Sequence, residues 1–190
     1  MSREQQILQA AEELFYERGF DATGVDAIAE KAGITGGAIY RHFSSKDEIL
    51  AVLFDHAIDT VLEQLSSLTD DPDHDLRTLI EAHVGFAMKH PKLAGIWNRE
   101  QRSLADPYRR RYLRRERRYS QRWRECLERR YPDRSHEEIS TAMRGIHTLM
   151  LSDSTRPVPK RREEGVEALL IDMTLRSLTA LEHQPAEASA

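Results

Sequence analysis

Residues 23–50 read TGVDAIAEKAGITGGAIYRHFSSKDEIL, and this stretch decides the fold of the N-terminal part of the chain. Its apolar residues follow the spacing of two short helices separated by Gly33, where glycine suits the left-handed backbone that often ends a helix. Thr35 stands where its hydroxyl can cap the second helix. Four apolar residues are expected to hold the pair together: Ile28, Ile34, Ile39 and Phe43. The pattern predicts a helix-turn-helix, a unit that places its second helix in the major groove of DNA.

Helical periodicity continues on both sides of this stretch. Upstream, a first helix that Gly19 ends carries one apolar stripe: Ile7, Leu8, Ala11, Leu14 and Phe15. The other expected helices lie at about residues 25–32 (helix 2), 36–43 (helix 3), 45–67 (helix 4), 75–89, 92–103, 107–131, 135–152 and 163–182. Apolar and polar residues do not alternate over any long stretch, so no strand is predicted. Residues 69–75, TDDPDHD, are expected to be a linker, because they combine proline with four aspartates and no apolar anchor.

The predicted fold class is therefore all-α. A three-helix, helix-turn-helix head over residues 1–46 is joined by helix 4 to a C-terminal helical domain over residues 47–190. Within this second domain, residues 47–67 form the connecting helix and residues 183–190 are expected to be a frayed, disordered tail.

Composition and charge set limits on the function. The formal net charge is −4, and residues 1–46 hold five Lys/Arg against seven Asp/Glu, so any DNA affinity has to come from the local arrangement of the cations. No apolar run is long enough to span a membrane, so no membrane partner is expected. The N-terminus lacks a signal-peptide core, and the single cysteine suits a reducing compartment. These features favour a cytoplasmic protein.

The second helix of the motif carries the candidate DNA contacts. Thr35 and Arg41 are the expected base readers, since groove edges are read by hydrogen bonds. Gly36 and Gly37 would let the backbone approach DNA closely, and Ala38 can touch a thymine methyl group. Three further residues offer donors for phosphate oxygens: Tyr40, His42 and Lys46. Thr23 and Val25, at the start of helix 2, complete the predicted set. The alternative for Tyr40 and His42 is that they only shield a small helical core.

The same stretch resembles the TetR/AcrR family of bacterial regulators. The resemblance is carried by Thr23-Gly24, Ile28-Ala29, Ala32-Gly33-Ile34-Thr35, Gly37, Ile39-Tyr40, His42-Phe43, Lys46 and Leu50, and by the preceding AAEELFYERGFDATG, covering about residues 5–54. It implies an all-α homodimer with a DNA-binding head and a larger effector domain. It also implies a repressor that binds a palindromic double-stranded operator and is released by a small molecule of unknown identity. The chain departs from the family pattern at Gly24, where a capping Ser or Thr is usual, and at Gly36, where a larger residue is common.

An arginine-rich segment, residues 97–124, is the second unusual feature. Tyr112, Tyr119 and Trp123 fall on one helical stripe with Leu127, a pattern typical of a core. The arginines on the other faces can form a solvated, salt-bridged surface, recognise an anionic effector such as an acyl-CoA, or contact DNA. The candidate effector-pocket residues are Trp97, Arg99, Tyr112, Tyr119, Trp123 and His147. For Trp97 to Glu100, the alternative is a buried structural ion pair.

The last two predicted helices are the candidate dimer interface. Their apolar stripes supply the predicted interface residues: Ile139, Met143, Ile146, Met150, Leu169, Leu170, Met173 and Leu181. Two copies of the head would then face two half-sites of the operator.

Catalytic and metal motifs are missing from the sequence. The histidines are scattered without a ligand spacing, and neither a nucleophile elbow nor a phosphate loop is present. We therefore expect no cofactor, no metal and no enzymatic activity. Cys126 lies on an arginine-rich helix that could lower its pKa, although an inert buried thiol is the alternative. The alternative from another class is a helical small-molecule-binding protein or enzyme whose head is only an interaction module.

Overall fold

The computed structural model describes residues 1–63, 69–155 and 164–182, and every regular element in these ranges is helical. The nine α-helices of the described ranges are α1 (Arg3–Arg18), α2 (Val25–Lys31), α3 (Gly36–Ile39), α4 (Lys46–Leu62), α5 (Pro72–Lys89), α6 (Pro91–Glu100), α7 (Tyr108–Arg130), α8 (His136–Met150) and α9 (Val166–Ser177). Short 3-10 helices follow α8 and α9. The all-α prediction is confirmed. The expected end of helix 4 at residue 67 and the expected frayed tail, residues 183–190, lie outside the described residues.

The chain forms two compact units. The first comprises Met1–Thr60 and His90–Arg117, and the second Val61–Lys89 and Arg118–Ala190. The proposed domain boundary after residue 46 stays a prediction.

The first unit contains the helix-turn-helix. A capping box starts α1, in which the Ser2 hydroxyl accepts from the Gln5 backbone N–H and the Gln5 side chain accepts from the Ser2 N–H. Its core consists mainly of the apolar stripes predicted from the sequence, and includes Ile7, Ala11, Phe15, Ile28, Ile39, Phe43, Leu50 and Phe54. Ile34 is only half-buried.

The second unit packs α5, α8, α9 and the C-terminal half of α7 around a second core. The predicted linker at residues 69–75 is wrong in part, because α5 already begins at Pro72. The Asp71 carboxylate accepts from the backbone N–H groups of Asp73 and His74 at 3.0 and 3.2 Å, and so caps the helix. Proline suits the first helical position, where its missing N–H costs no hydrogen bond.

Candidate functional site

The turn of the helix-turn-helix has the predicted backbone geometry. Gly33 adopts φ +68°, in the left-handed region, and the Ile34 N–H donates to the Ala29 carbonyl at 3.0 Å. This pattern closes α2 by satisfying a carbonyl that the helix itself leaves unpaired. At the other end, Gly24 is the N-cap of α2 and forms no side-chain cap hydrogen bond.

The recognition segment, residues 35–42, is shorter as a helix than predicted. Regular α-helix covers only Gly36–Ile39, and the chain then continues in tight turns, with the His42 N–H donating to Ile39 at 2.8 Å. Two glycines at the start weaken helix propensity, and a short helix often tightens into 3-10 turns. Thr35 is the N-cap residue, but the predicted hydroxyl cap is not formed.

One side of the recognition segment is buried and the other faces solvent. Ile39 and Phe43 are buried in the unit, whereas the side chain of Tyr40 is 60% exposed and Arg41 and His42 are also exposed. Exposure of this degree argues against the alternative that Tyr40 and His42 shield a core.

The two glycines of the recognition segment have different surroundings. A Cβ added at Gly36 would lie 2.5 Å from a carboxylate oxygen of Asp26 on α2, which is too close for any side chain without movement of Asp26. Nothing lies within 4 Å of the corresponding position at Gly37. A side chain at position 36 therefore requires the exposed Asp26 carboxylate to turn away, while position 37 is open.

Thr23 is the member of the predicted DNA-binding set that the structure contradicts. Its side chain is 1% exposed, and its hydroxyl donates to the carbonyls of Gly19 and Leu14 at 2.8 and 3.3 Å. Thr23 thus fixes the loop between α1 and α2 from inside and cannot face DNA in this conformation. Val25 and Ala38 are half-exposed.

Lys46 has a structural contact that the sequence did not indicate. Its ammonium donates to the Phe20 carbonyl at 2.8 Å and lies 4.2 Å from the centre of the Phe20 ring. This cation–π contact and the hydrogen bond hold the start of α4 against the α1–α2 loop.

Arg99 and Glu100, at the end of α6, contact the end of α1 and the α1–α2 loop. Arg99 donates to the Phe15 carbonyl at 2.7 Å and its Nε lies 3.0 Å from Glu100 Oε1. Glu100 also accepts from the Phe20 N–H at 3.3 Å and from Ser103. Burial alone would raise the pKa of Glu100, but these hydrogen bonds outweigh it and hold the pKa below its ordinary value. The contacts fit a structural ion pair better than an effector contact for Arg99.

Trp97 and Tyr112, also predicted to line the effector pocket, contact each other in the first unit. The indole N–H of Trp97 donates to the Tyr112 hydroxyl at 3.0 Å, and the Tyr112 ring packs on Phe54. Burial raises the pKa of Tyr112, so the phenol stays neutral. Both side chains are buried.

The arginines of α7 divide between ion pairs and solvent. Arg111 and Arg115 pair with Asp55 on α4, and Arg115 also pairs with Asp59. Arg114, Arg117 and Arg118 are exposed. A solvated, salt-bridged face therefore describes this surface.

Three of the predicted pocket residues meet in the second unit, where a fourth residue that the sequence did not single out joins them. We call His83, Tyr119, Trp123 and His147 the imidazole–indole cluster. His83 Nδ1 lies 2.5 Å from the Tyr119 hydroxyl, and the rings of Trp123 and His147 meet edge to face at 4.8 Å between centroids. His83 shares the apolar face of α5 with Leu79, Ile80 and Val84, and this spacing is the signal that could have identified it.

The two histidines of the cluster are neutral at physiological pH. Burial lowers the pKa of His147 to about 4, and burial together with His147 lowers that of His83 well below its ordinary value. Nε1 of Trp123 and Nε2 of His147 are buried without a hydrogen-bond partner among the described residues.

The predicted dimer residues separate into a buried and an exposed group. Ile139, Ile146, Met150 and Leu170 are buried inside the second unit, so they are not available to a second chain in this conformation. Leu169 and Met173 on α9 are 57% and 44% exposed, and Met143 and Leu181 are half-buried. The interface stays a prediction, now restricted to these four residues.

The described ranges do not support a metal site, a membrane-spanning helix or an activated cysteine. They contain no group of three or more His, Cys, Asp or Glu residues that could hold a metal ion. No described helix combines the length and the hydropathy needed to cross a bilayer. Burial raises the pKa of the Cys126 thiol to about 11, which contradicts activation by the neighbouring arginines.

Known proteins share both the sequence motifs and the fold. The HTH-type transcriptional activator FasR of Mycolicibacterium smegmatis is 42% identical over 88 residues, which cover 44% of this chain and 40% of FasR. The chain thus spans less than two thirds of the length of the curated relatives it matches. The crystal structure of the TetR-family regulator PfmR from Thermus thermophilus superimposes with a TM-score of 0.72 at 26% identity, covering 90% of this chain and 97% of PfmR. AibR, solved with isovaleryl coenzyme A and operator DNA, has the same fold, with a TM-score of 0.77 at 19% identity over 91% of this chain and 96% of AibR.

Two family models match the chain in succession. The model of bacterial regulatory proteins of the tetR family matches residues 7–53, which contain the helix-turn-helix. The model of the tetracyclin repressor-like C-terminal domain matches residues 69–155. Together the two matches cover more than half of the sequence, and the chain belongs to the TetR family of bacterial regulatory proteins.

Proposed function

We propose that the protein is a homodimeric transcriptional repressor that binds a palindromic DNA operator and leaves it when a small-molecule effector binds. The observation that carries the proposal is the recognition segment, whose apolar side is buried in a helix-turn-helix and whose polar side is exposed. The complex of AibR with operator DNA supports the DNA partner. Such a regulator acts in the bacterial cytoplasm, on the nucleoid when it is bound to DNA.

The DNA-binding function is assigned to residues 1–46. Thr35 and Arg41 read base edges, and the backbone at Gly37 approaches the groove without a side chain in between. Tyr40 and His42 donate to phosphates and set the register on the duplex. Lys46 contributes charge beside them while it holds Phe20. Two heads on one dimer bind half-sites separated by about one helical turn, roughly 34–36 Å.

The remaining functions are assigned to residues 47–190. Leu169 and Met173 are an exposed apolar pair one helical turn apart, and the pair fits contact with a second copy of α9. The effector binds at the imidazole–indole cluster, in preference to Trp97, Arg99 and Tyr112, which are engaged with each other or with α1. A coupling free energy of about 1–3 kcal/mol between effector and DNA is enough to release the operator by about 5- to 150-fold.

A gel shift with the promoter region beside the protein's own gene tests the proposal. We expect a complex that survives competitor DNA, and we expect Arg41→Ala to relax the preference at one base pair by about 1–3 kcal/mol. Arg77→Ala is the matched control, because Arg77 is an exposed arginine on α5 in the other unit.

Two outcomes would contradict parts of the proposal. If folded, effector-free protein forms no sequence-specific complex at any of several salt concentrations, the protein is not a DNA-binding regulator. If deletion of the gene lowers transcription from the bound promoter, the protein is an activator instead of a repressor.

A further inference from the structure

The imidazole–indole cluster contains buried polar atoms that a purely structural core would not need. Trp123 is fully buried, yet its Nε1 makes no hydrogen bond within the described residues, and the same holds for Nε2 of His147. An unpaired buried polar group costs about 1–3 kcal/mol, and phenylalanine at position 123 would avoid that loss. Unsatisfied buried groups of this kind need an explanation, and a bound ligand supplies one.

The cluster lies between three helices of the second unit, with His83 on α5, Tyr119 and Trp123 on α7, and His147 on α8. Trp123 is fully buried, and His147 beside it is half-buried. Spaces between the helices of a bundle are common positions for small-molecule sites.

The burial of the cluster disfavours a charged ligand group. Both histidines are neutral at physiological pH, because burial lowers their pKa values, so neither offers a positive charge to a ligand. A buried ion without a partner of opposite charge is strongly disfavoured. The walls of the cluster are aromatic rings, which suit a flat apolar body.

We propose that the effector is an uncharged aromatic molecule with an amide-like group, whose carbonyl oxygen accepts from Trp123 Nε1–H and whose N–H donates to His147 Nε2. Indole nitrogen is only a donor, so the ligand has to supply the acceptor, and a neutral imidazole nitrogen can accept in return. The inference rests on the proposed function, since it names the chemical class of the effector of that regulator. The rival class is an anion held by the exposed arginines of α7.

Matched pairs of neutral and anionic compounds separate the two classes. We would titrate the full chain at pH 7.5 with 2-naphthamide and 2-naphthoate, and with benzamide and benzoate, by isothermal calorimetry. The expected result is an amide dissociation constant lower than that of the matching carboxylate by roughly tenfold or more. Equal or tighter binding of the carboxylates would overturn the proposal in favour of an anionic effector, and absence of amide binding would overturn it outright.

Trp123→Phe locates the binding, because it keeps a six-membered aromatic ring and removes the five-membered ring that carries the indole N–H. We expect this variant to bind 2-naphthamide about three- to tenfold more weakly, the effect of one neutral hydrogen bond. The matched control is Trp97→Phe, which removes the N–H of the other of the two tryptophans and should leave the affinity unchanged. Unchanged binding by Trp123→Phe would overturn the proposal. If that variant does not fold, His147→Leu provides the same test from the other side of the cluster.

The calorimetric test of the effector class and the gel-shift test of the proposed function can fail independently. Loss of amide selectivity would remove the effector class and leave the gel shift with operator DNA intact. Failure of the gel shift would remove the regulator and leave the calorimetric selectivity intact.

Discussion

The guanidinium of Arg99 donates to the carbonyl oxygen of Phe15 at 2.7 Å, so the last turn of α6 caps the last turn of α1. A second bond from the same group reaches the Tyr16 carbonyl at 3.2 Å. The Phe15 carbonyl also accepts from the Gly19 N–H at 3.0 Å, and the charged donor of Arg99 complements the dipole at the end of α1. The end of α1 is thus bound by a side chain 84 residues away in the sequence, within the same unit.

Arg99→Ala should destabilise the protein by about 1–2 kcal/mol, because it leaves two helix-end carbonyls without their charged donor. Because the side chain is half-exposed, the ion pair with Glu100 adds little of this. Urea unfolding measures the change. Lys92→Ala is the control, since Lys92 also joins α6 to α1 but only through a 3.7 Å surface pair with Glu13, and it should cost less than about 1 kcal/mol. Equal losses of unfolding free energy in both variants would show that the bonds to the two carbonyls stabilise the protein no more than a surface ion pair does.

His147 should make stability fall as the pH drops. Burial lowers its folded-state pKa to about 4, whereas the unfolded chain takes up this proton near pH 6.5. The stabilising effect of the neutral ring is therefore complete above about pH 6.5 and is lost as the pH falls towards 4. His147→Phe should lose less stability than the wild type across that interval, by at most about 3 kcal/mol. Urea unfolding at pH 7.5, 5.5 and 4.5 gives the comparison. His56→Gln, at an exposed site, should follow the wild type, and parallel curves for His147→Phe would refute the prediction.

Replacing Lys46 should lower both DNA binding and stability, whereas replacing His42 should lower DNA binding alone. His42 is exposed, so His42→Ala should weaken operator binding across sequences without changing the melting temperature. Lys46→Ala should weaken DNA binding and also lower stability by about 1 kcal/mol, because it removes the bond and the cation–π contact to Phe20. Melting curves and gel shifts on the same samples check both. Identical melting temperatures for the two variants would contradict the structural role of Lys46.

Substitution at Gly37 should separate stability from DNA affinity. Its Cβ position is open, so Gly37→Ala should stabilise α3, by up to about 1 kcal/mol, while it keeps the backbone away from DNA. Gly33→Ala should instead destabilise by about 1–2 kcal/mol, because its φ of +68° strains any L side chain. Thermal melts and gel shifts of the two variants provide the measurement. A Gly37→Ala protein that binds the operator as well as the wild type would rule out close backbone approach.

Leu169→Gln combined with Met173→Gln should shift the protein from dimer to monomer. Both side chains are largely exposed in the single chain, so the change removes contacts to a partner without opening a cavity. We expect the dimer dissociation constant to rise roughly tenfold or more, measured by sedimentation velocity. Asp172→Asn, on the same helix, is the control for a change of surface polarity. A double variant that stays dimeric would place the interface elsewhere.

The sequence predicted the helices well where local signals agree with each other. The apolar stripe of α1, the positive φ at Gly33 and the burial of Ile39 and Phe43 all follow from spacing and backbone preference. The sequence does not predict the start of α5, because acidic residues around a proline are typical of linkers as well as of helix N-termini. Only the bonds from the backbone to Asp71 distinguish the two.

The candidate site was only partly predictable, because side-chain contacts between distant segments leave no local signal. Thr23 matches the family motif, but its hydroxyl is turned inward to Gly19 and Leu14. Trp97 and Trp123 belong to one arginine-rich segment, yet they lie in different units. The sequence does not identify His83, because one histidine on an apolar helix face is ordinary until a partner such as Tyr119 is known.

The narrow gap between Gly36 and Asp26 has a consequence for how new operator preferences can arise. A larger residue at position 36 would add a side chain at the groove, but its Cβ would lie 2.5 Å from the Asp26 carboxylate. Such a change requires the exposed Asp26 carboxylate to turn away or a smaller residue at position 26. The effect of a substitution at residue 36 therefore depends on residue 26, and joint variation of the two residues reaches operator preferences that variation of residue 36 alone does not.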